Sequence, residues 1–250
     1  MFLNGNMRTI NFNPRDFGLK KDYLYEILAT TFSINQRNND IIPNTACMGI
    51  KLIENDLIKI GPYPDTSTFR NLKHNGFVSI NFVSNIYLYA IAALKDKDIL
   101  INLTEFPKEF YDYKNVELTV EFFSDLRETL MPYISKAWGV LFCKAIEENQ
   151  VLKKDGLGEV QIIEFKLKVI SFDKFKESFK LFNRAENLSL ETIVLATRLK
   201  IARERKNKKL FDSILQKIQD NIRDMERFGG NKNAIKSLEL IKKYICRLMY

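Results

Sequence analysis

Between Pro43 and Asn81 two strand-like segments bracket a short, hydroxyl-rich helical segment, and this succession constrains the fold more than any other feature of the chain. The first segment is Asn44-Thr45-Ala46-Cys47-Met48-Gly49-Ile50 and the second is Gly76-Phe77-Val78-Ser79-Ile80-Asn81. Between them Asp65-Thr66-Ser67-Thr68 runs directly into Phe69-Arg70-Asn71-Leu72. Ser and Thr are favoured helix N-caps because their side-chain oxygen accepts a first-turn N–H. Gly76 suits the left-handed residue that closes a helix, so the spacing predicts a helix over Ser67–Asn75. One hydroxyl suffices for a cap; three of them, followed by Arg70 and Asn71, leave donors over. First-turn N–H groups lack intrahelical partners and the helix dipole favours an anion there. Thr66, Ser67, Thr68, Arg70 and Asn71 are therefore candidate phosphate ligands, with simple capping as the alternative and Arg70 free to point to solvent instead.

The residues around this unit read mainly as strands. Alternation of Tyr23, Tyr25, Ile27 and Ala29 predicts a strand over Tyr23–Thr31, and the polar stretch Asn35–Asp40 is a connection. Thr45–Ile53 and Leu57–Ile60 form a hairpin across Glu54-Asn55-Asp56, which Pro62 and Pro64 end. Phe77–Val83 is a buried strand and Ser84–Leu94 a second helix. Val116, Leu118, Val120 and Phe122 alternate with Glu117, Thr119 and Glu121, the pattern of a half-buried strand. Trp138–Ile146 and Val160–Phe172 are further strands separated by Asp155-Gly156-Leu157-Gly158. In the last strand the apolar phase slips between Ile162 and Ile163, which predicts a bulge or a strong bend there. The Asn-rich first twenty or so residues carry no period and read as an extended arm.

Beyond Phe175 the period becomes helical. Leu188–Glu204 and Leu210–Phe228 are long helices, the second with Leu210, Ile214, Ile218, Ile222 and Met225 on one face, and Gly229-Gly230 ends it. A final helix carries Ala234, Leu238, Ile241, Ile245 and Leu248, a stripe whose simplest partner is the neighbouring helix.

Composition closes off several function classes. At 250 residues and 46% hydrophobic the chain can bury one large core or two smaller ones. No apolar run approaches the roughly 20 residues of a membrane span and the N-terminus lacks a secretory pattern, so a cytoplasmic location is expected. Cys47, Cys143 and Cys246 lie far apart with a single histidine, His74, so no metal site is expected and packing is the ordinary role of the thiols. A net charge of +8 and the basic run from Arg198 to Lys209 invite a nucleic-acid reading. Acidic residues interrupt that run and no nucleic-acid motif accompanies it, so a solvated helix face is the plainer account. His74 reads as a surface or cap residue with no catalytic role.

The order of these pieces resembles the FMN-binding split-barrel superfamily. Its flavin-reductase-like members place a Thr-x-x-Asn-Leu helix start, here Thr68 to Leu72, before a strand ending in Asn, here Asn81. More closely, the chain is similar to an uncharacterised archaeal family of split-barrel flavoproteins with a helical domain after the barrel. The second half of that pattern is present as Asn183-Arg184-Ala185, Leu190-Glu191, Ile193 and Ala196-Thr197-Arg198-Leu199. The resemblance runs from Tyr23 to the C-terminus. It implies an α+β fold, a split β-barrel of the FMN-binding type over residues 1–176 with its N-terminal arm, then a small helical domain over 177–250.

The resemblance also implies FMN as cofactor, a homodimer in which both subunits complete each flavin pocket, and an oxidoreductase acting on a small substrate. A non-catalytic FMN-binding or flavin-carrier protein is the alternative, and a basic nucleic-acid-binding protein a more distant one. Thr45, Ala46, Cys47, Met48 and Gly49 would run along the isoalloxazine, with backbone groups bonding the ring and Gly49 permitting close approach. Met48 would touch the ring through its thioether; the alternative is a core methionine and a strand glycine at a bulge. Cys47 stands beside the flavin where related sequences often have proline. Asn81 would bond the flavin or the neighbouring turn, and Asn85 stands where relatives often carry Asp, so no carboxylate acts there. Trp138 fills the core in preference to walling the cavity. Arg184 and Glu191 would form a domain-docking ion pair, while Arg198 would reach phosphate or substrate. A flavin brings its own redox chemistry, so the lack of a triad, paired acids or a metal cluster does not oppose oxidoreduction.

Overall fold

The structure is a computed structural model that describes residues 11–22, 24–95, 103–118, 128–155, 158–177, 184–228 and 232–249. In chain order the strands are β1 (Leu24–Ile34), β2 (Ile41–Glu54), β3 (Leu57–Ile60), β4 (Phe77–Phe82), β5 (Tyr111–Glu117), β6 (Glu128–Ile134), β7 (Gly139–Asp155) and β8 (Gly158–Lys174). The helices are α1 (Ser67–Asn75), α2 (Ile86–Leu94), α3 (Arg184–Glu204), α4 (Lys208–Phe228) and α5 (Lys232–Met249). Six strands close into an antiparallel barrel in the order β1-β2-β3-β8-β7-β4, with β4 returning to β1; β5 and β6 form a separate ribbon.

Alternation along the strands sorts side chains to two faces. On β1, Ile27 and Ala29 enter the barrel core with Ile50, Ile80, Leu141 and Phe165. Leu28 and Phe32 point outward into the apolar cluster that contains α2, with Phe32 stacked on Phe77. α2 is apolar around its whole circumference, as a helix enclosed on all sides must be. It lies against α3 and α5 as well as β2. One continuous cluster therefore joins the outer barrel wall, α2 and the packed faces of α3, α4 and α5. The stripe on α5 packs chiefly on α2 and α3 and not on its sequence neighbour α4, because α2 supplies the larger apolar surface.

Other expectations shift in detail. The ladder between β7 and β8 is unbroken at Ile162 and Ile163; its irregularities fall at Ile146 and at Ile170 instead. The phase slip at Ile162 has another cause: the ribbon leaves the barrel there, and Ile162 is buried against Gly61 on the opposite face from Phe165. The supposed arm is folded where it is described. Pro14–Phe17 is a 3-10 turn capped by Asn13 and closed by Gly18 at φ 70°, and Phe12 and Phe17 pack with Phe172, while Phe17 also meets Phe82 and Trp138. Trp138 is thus a packing residue, as expected. The alternating segment after Val116 lies mostly outside the described residues, and β5 begins earlier, at Tyr111.

Candidate functional site

A cleft of about 920 Å³ opens between the start of β2 and one face of α1. This volume lies in the range of small-molecule and cofactor pockets. Helical spacing explains the α1 side: Ser67, Arg70, Asn71 and His74 recur at three- and four-residue steps and line the cleft together. The opposite face carries Leu72 and Phe69 into the barrel, where Phe69 meets Phe165 edge-on at 6.1 Å. The other walls are Ile42, Pro43 and Asn44 of β2, Ser33 of β1, Lys95 just past α2, and Thr104 to Phe106.

The hydroxyl cluster divides its work. Thr66 is the N-cap: its Oγ1 accepts from the Phe69 N–H at 3.2 Å and donates to the Tyr63 carbonyl at 2.8 Å. Thr68 is buried and accepts from Asn44 Nδ2 at 3.3 Å, which ties α1 to β2. Ser67 lines the cleft, and Arg70 folds back over the first turn to donate to Ser67 Oγ at 3.2 Å and to the Asp65 carbonyl at 2.6 Å. Asn71 is anchored through its donation to Thr31 Oγ1 at 3.1 Å. The cap takes the Phe69 N–H and Arg70 N–H bonds the Thr66 carbonyl, so the N–H groups of Ser67 and Thr68 remain as first-turn donors.

The β2 side offers backbone. In an antiparallel ladder each residue turns both its N–H and its C=O either toward the partner strand or away. The Thr45 carbonyl accepts from Lys95 at 2.5 Å, and on β1 the carbonyls of Leu28 and Phe32, opposite Cys47 and Pro43, accept from Asn81 and Asn75. All three bonds place Pro43, Thr45, Cys47 and Gly49 with their backbone groups turned away from β1. Pro43, which has no N–H, fits such an edge. β3 pairs with β2 only from Ile50 onward, so the groups before that point face the split in the barrel. Gly49 sits opposite Glu26 in an unbroken ladder, so it is not a bulge glycine.

Side chains along this strand go elsewhere. Met48 packs toward the barrel core and Cys47 toward α2, donating through Sγ to the Tyr89 carbonyl at 3.2 Å, while Ala46 stays half-exposed. Burial pushes the Cys47 thiol well above its usual range, and Glu26 adds to that. Thr45 is fully buried in a chain of hydroxyls, bonded to Thr30 at 2.8 Å and donating to Tyr111 at 2.9 Å. Asn81 is likewise internal: Nδ2 donates to the Leu28 and Ser79 carbonyls and to Thr30 Oγ1, and Oδ1 accepts from Ile134 N–H at 2.7 Å. It clamps β1, β4 and β6 together. Asn85 caps α2 through the Tyr87 N–H.

The structure does not bring Arg198 to this cleft. It is exposed on α3, outside the cleft lining. Thr197 donates to the Val194 carbonyl at 2.8 Å and Glu191 is exposed, whereas Asn183 and the Arg184 side chain lie outside the described residues. Lys95 is the functional candidate that sequence reasoning missed. Its ammonium donates to Asn44 Oδ1 at 2.7 Å as well as to Thr45, and burial depresses it to about 8, against opposing effects of Cys47 and Glu105. Its one sequence signal is that it is the first charged residue after the apolar run from Ile86 to Leu94. Among the described residues no group of His, Cys, Asp and Glu could hold a metal ion, and no helix is long and apolar enough to cross a membrane.

Comparison with known proteins fits this geometry. The model of a protein family described as "Protein of unknown function (DUF447) N-terminal domain" matches residues 25–171, more than half of the chain. The chain belongs to the DUF447 family. A crystal structure of an FMN-bound DUF447 protein from Methanosarcina mazei superposes with a TM-score of 0.65 at 17% identity, covering 93% of this chain and 100% of that one. That agreement establishes the α+β barrel-plus-helices fold for this family member. Weaker similarities include an FMN-binding protein from Thermus thermophilus (TM-score 0.39, 10% identity, 62% and 72% covered). Another is a flavoredoxin from Methanosarcina acetivorans (TM-score 0.38, 11% identity, 69% and 78% covered). No curated protein matches the chain.

Proposed function

We propose that the cleft binds FMN and that the protein is a flavoprotein oxidoreductase acting on a small substrate. One observation carries the reading: a helix start with unpaired first-turn N–H groups and the start of β2, Ile42 to Asn44, border the same cleft, and Lys95 of its wall bonds the outward Thr45 carbonyl just beyond them. The fit is chemical. Ser67, Asn71 and the first-turn N–H groups are donors suited to a phosphate, with Arg70 as the adjacent cation. Further along the same strand, beyond the residues that line the cleft, the Cys47 and Gly49 backbone carries outward donors and acceptors suited to a heterocycle with alternating polar edges. FMN supplies electron transfer at its own ring when bound, and the protein's part is to bind, orient and tune it. The FMN-bound relative supports the choice of cofactor.

The same reading extends to organisation. Two subunits would complete each pocket, in keeping with exposed Ile42 on the cleft wall and exposed Ile34 next in the chain to Ser33, which also lines it. The division at residues 176 and 177 would separate a flavin-binding barrel from helices that grip it through α2. Met48 and Arg198 take no direct part in this version of the site; Thr45, Asn81 and Thr66 act by holding its walls.

The test is a titration of the protein and of Ser67→Ala and Arg70→Gln with FMN and with riboflavin. A charge-assisted bond contributes about 1.5–3 kcal/mol, so each variant should lose roughly tenfold or more for FMN and little for riboflavin. Equal losses for both ligands would move the phosphate elsewhere, and a wild-type protein that binds neither would reject the cofactor. Oxidation of a nicotinamide donor by the loaded protein separates an enzyme from a carrier. Sedimentation with and without FMN reads the dimer, which a bound ligand at a shared site must favour.

A further inference from the structure

The ammonium of Lys95 is held in a way its own neighbours do not account for. Its bonds are to two neutral acceptors, Asn44 Oδ1 and the Thr45 carbonyl. Glu105 borders the same cleft but acts on it only through space. An ammonium carries three donors, so one remains, and a part-buried charge without an ionic partner is costly. Its position is also fixed. Lys95 is the residue that ends α2, a helix packed on every side, so the side chain leaves a rigid point and reaches β2.

We propose that Lys95 is the counter-cation for the pyrimidine edge of the flavin ring, raising the ring's affinity for electrons. This rests on the FMN reading above. Placement distinguishes the ring from the phosphate. Lys95 is bonded to the outward backbone edge of β2, the edge that also carries the free groups of Cys47 and Gly49. The first turn of α1 has its own cation in Arg70 and its own donors in Ser67 and the leading N–H groups. Electrons added to a flavin place negative charge on the pyrimidine nitrogen and carbonyl. A preorganised cation aimed at that edge favours the reduced state over the oxidised one, and a partly water-excluded site strengthens the effect. Asn44 adds direction: its Oδ1 accepts from Lys95 while its Nδ2 donates to Thr68, so the lysine is braced against α1.

The experiment measures the midpoint potential of the FMN-loaded protein against a reference dye, for wild type, Lys95→Met, Lys95→Gln and Lys95→Arg, together with FMN and riboflavin affinities. Met and Gln should each shift the reduction equilibrium about tenfold or more toward the oxidised flavin, close to 30 mV for a two-electron couple. Arg, which keeps the charge, should retain most of the wild-type potential. FMN and riboflavin should weaken by the same factor. An unchanged potential in Met or Gln overturns the proposal, and so does a loss confined to FMN, which would make Lys95 a phosphate ligand. If Met does not fold, Gln carries the same comparison with a shorter, polar and uncharged side chain. A wild-type protein that binds no flavin rejects the FMN reading itself, a different outcome from a flavin-loaded protein whose potential ignores Lys95.

Discussion

Replacing Lys95 by Met should change how the stability of the flavin-free protein depends on pH. Burial lowers the lysine from 10.5 to about 8, so the folded chain holds its proton more weakly than the unfolded chain. The unfolded state therefore binds more protons between those two values, and linkage makes stability rise with pH there. Below about 8 the full penalty of the buried ammonium is present, and by about 10.5 it has been relieved. At about 1.36 kcal/mol per pH unit the depression amounts to roughly 3 kcal/mol at most, and solvent reaching a residue on the cleft wall reduces this to about 1–2 kcal/mol. Other lysines and the tyrosines titrate alike in both proteins and cancel in the difference. Chemical denaturation of wild type and Lys95→Met at pH 7, 8, 9 and 10 reads that difference directly, and wild type should gain on the variant by about 1–2 kcal/mol across the series. Loss of the bonds to Asn44 and Thr45 shifts the absolute level but not the slope. A stability difference that is flat across the series would show that Lys95 is effectively solvated, and would remove the uncompensated cation from which its role at the ring was argued.

Two further substitutions test the scaffold. Asn81→Ala leaves the Ile134 N–H and the acceptors on β1 and β4 unpaired in a fully buried position, so a loss of about 3–5 kcal/mol is expected in urea denaturation. Gly139→Ala would put its Cβ at 2.7 Å from the Phe17 ring. That ring is held by Phe12, Phe82 and Trp138 and cannot yield freely, so a cost of about 1–3 kcal/mol and a disturbed Trp138 fluorescence are expected.

Local rules made much of the molecule legible. Ser67–Asn75 is a helix with the predicted bounds because its start and stop depend on Thr66 and Gly76 alone. The hairpin at Asn55 and Asp56 and the long helices were similarly local. What could not be read was where side chains would be spent. Three adjacent hydroxyls looked equivalent, yet the helix turn sends Thr66 backward to the cap, Thr68 inward to Asn44 and only Ser67 to the cleft. Asn81 looked like a ligand because a strand-end amide is a good one, but it is spent on three acceptors of β1 and β4 and on the Ile134 N–H of β6, and the placement of that separate ribbon against the barrel has no signal in sequence. Lys95 was invisible for a related reason. A lysine after an apolar run reads as the helix meeting solvent, and only the tertiary placement of α2 against β2 turns it into the cleft.

That placement also gives the C-terminal helices a task. An isolated helix of the composition Ile86-Tyr87-Leu88-Tyr89-Ala90-Ile91-Ala92-Ala93-Leu94 has no polar face to leave in water, so α2 needs cover on the side away from the barrel. α3 and α5 supply it, through Ile193, Ala196 and Ile241 among others in one continuous apolar cluster. Small residues on α3, such as Ala196 and Ala202, permit close approach where larger ones would push the helices apart. Once α2 is enclosed its C-terminal end is fixed, and the negative end of its dipole lies beside Lys95, which offsets part of the cost of keeping that ammonium charged. The same enclosed helix donates the Tyr89 hydroxyl to the Glu26 carbonyl on β1 at 3.0 Å and accepts the Cys47 thiol from β2. Helices remote in sequence from the cleft thus set the position of its lysine through a rigid intermediary, without a side chain of their own entering the site.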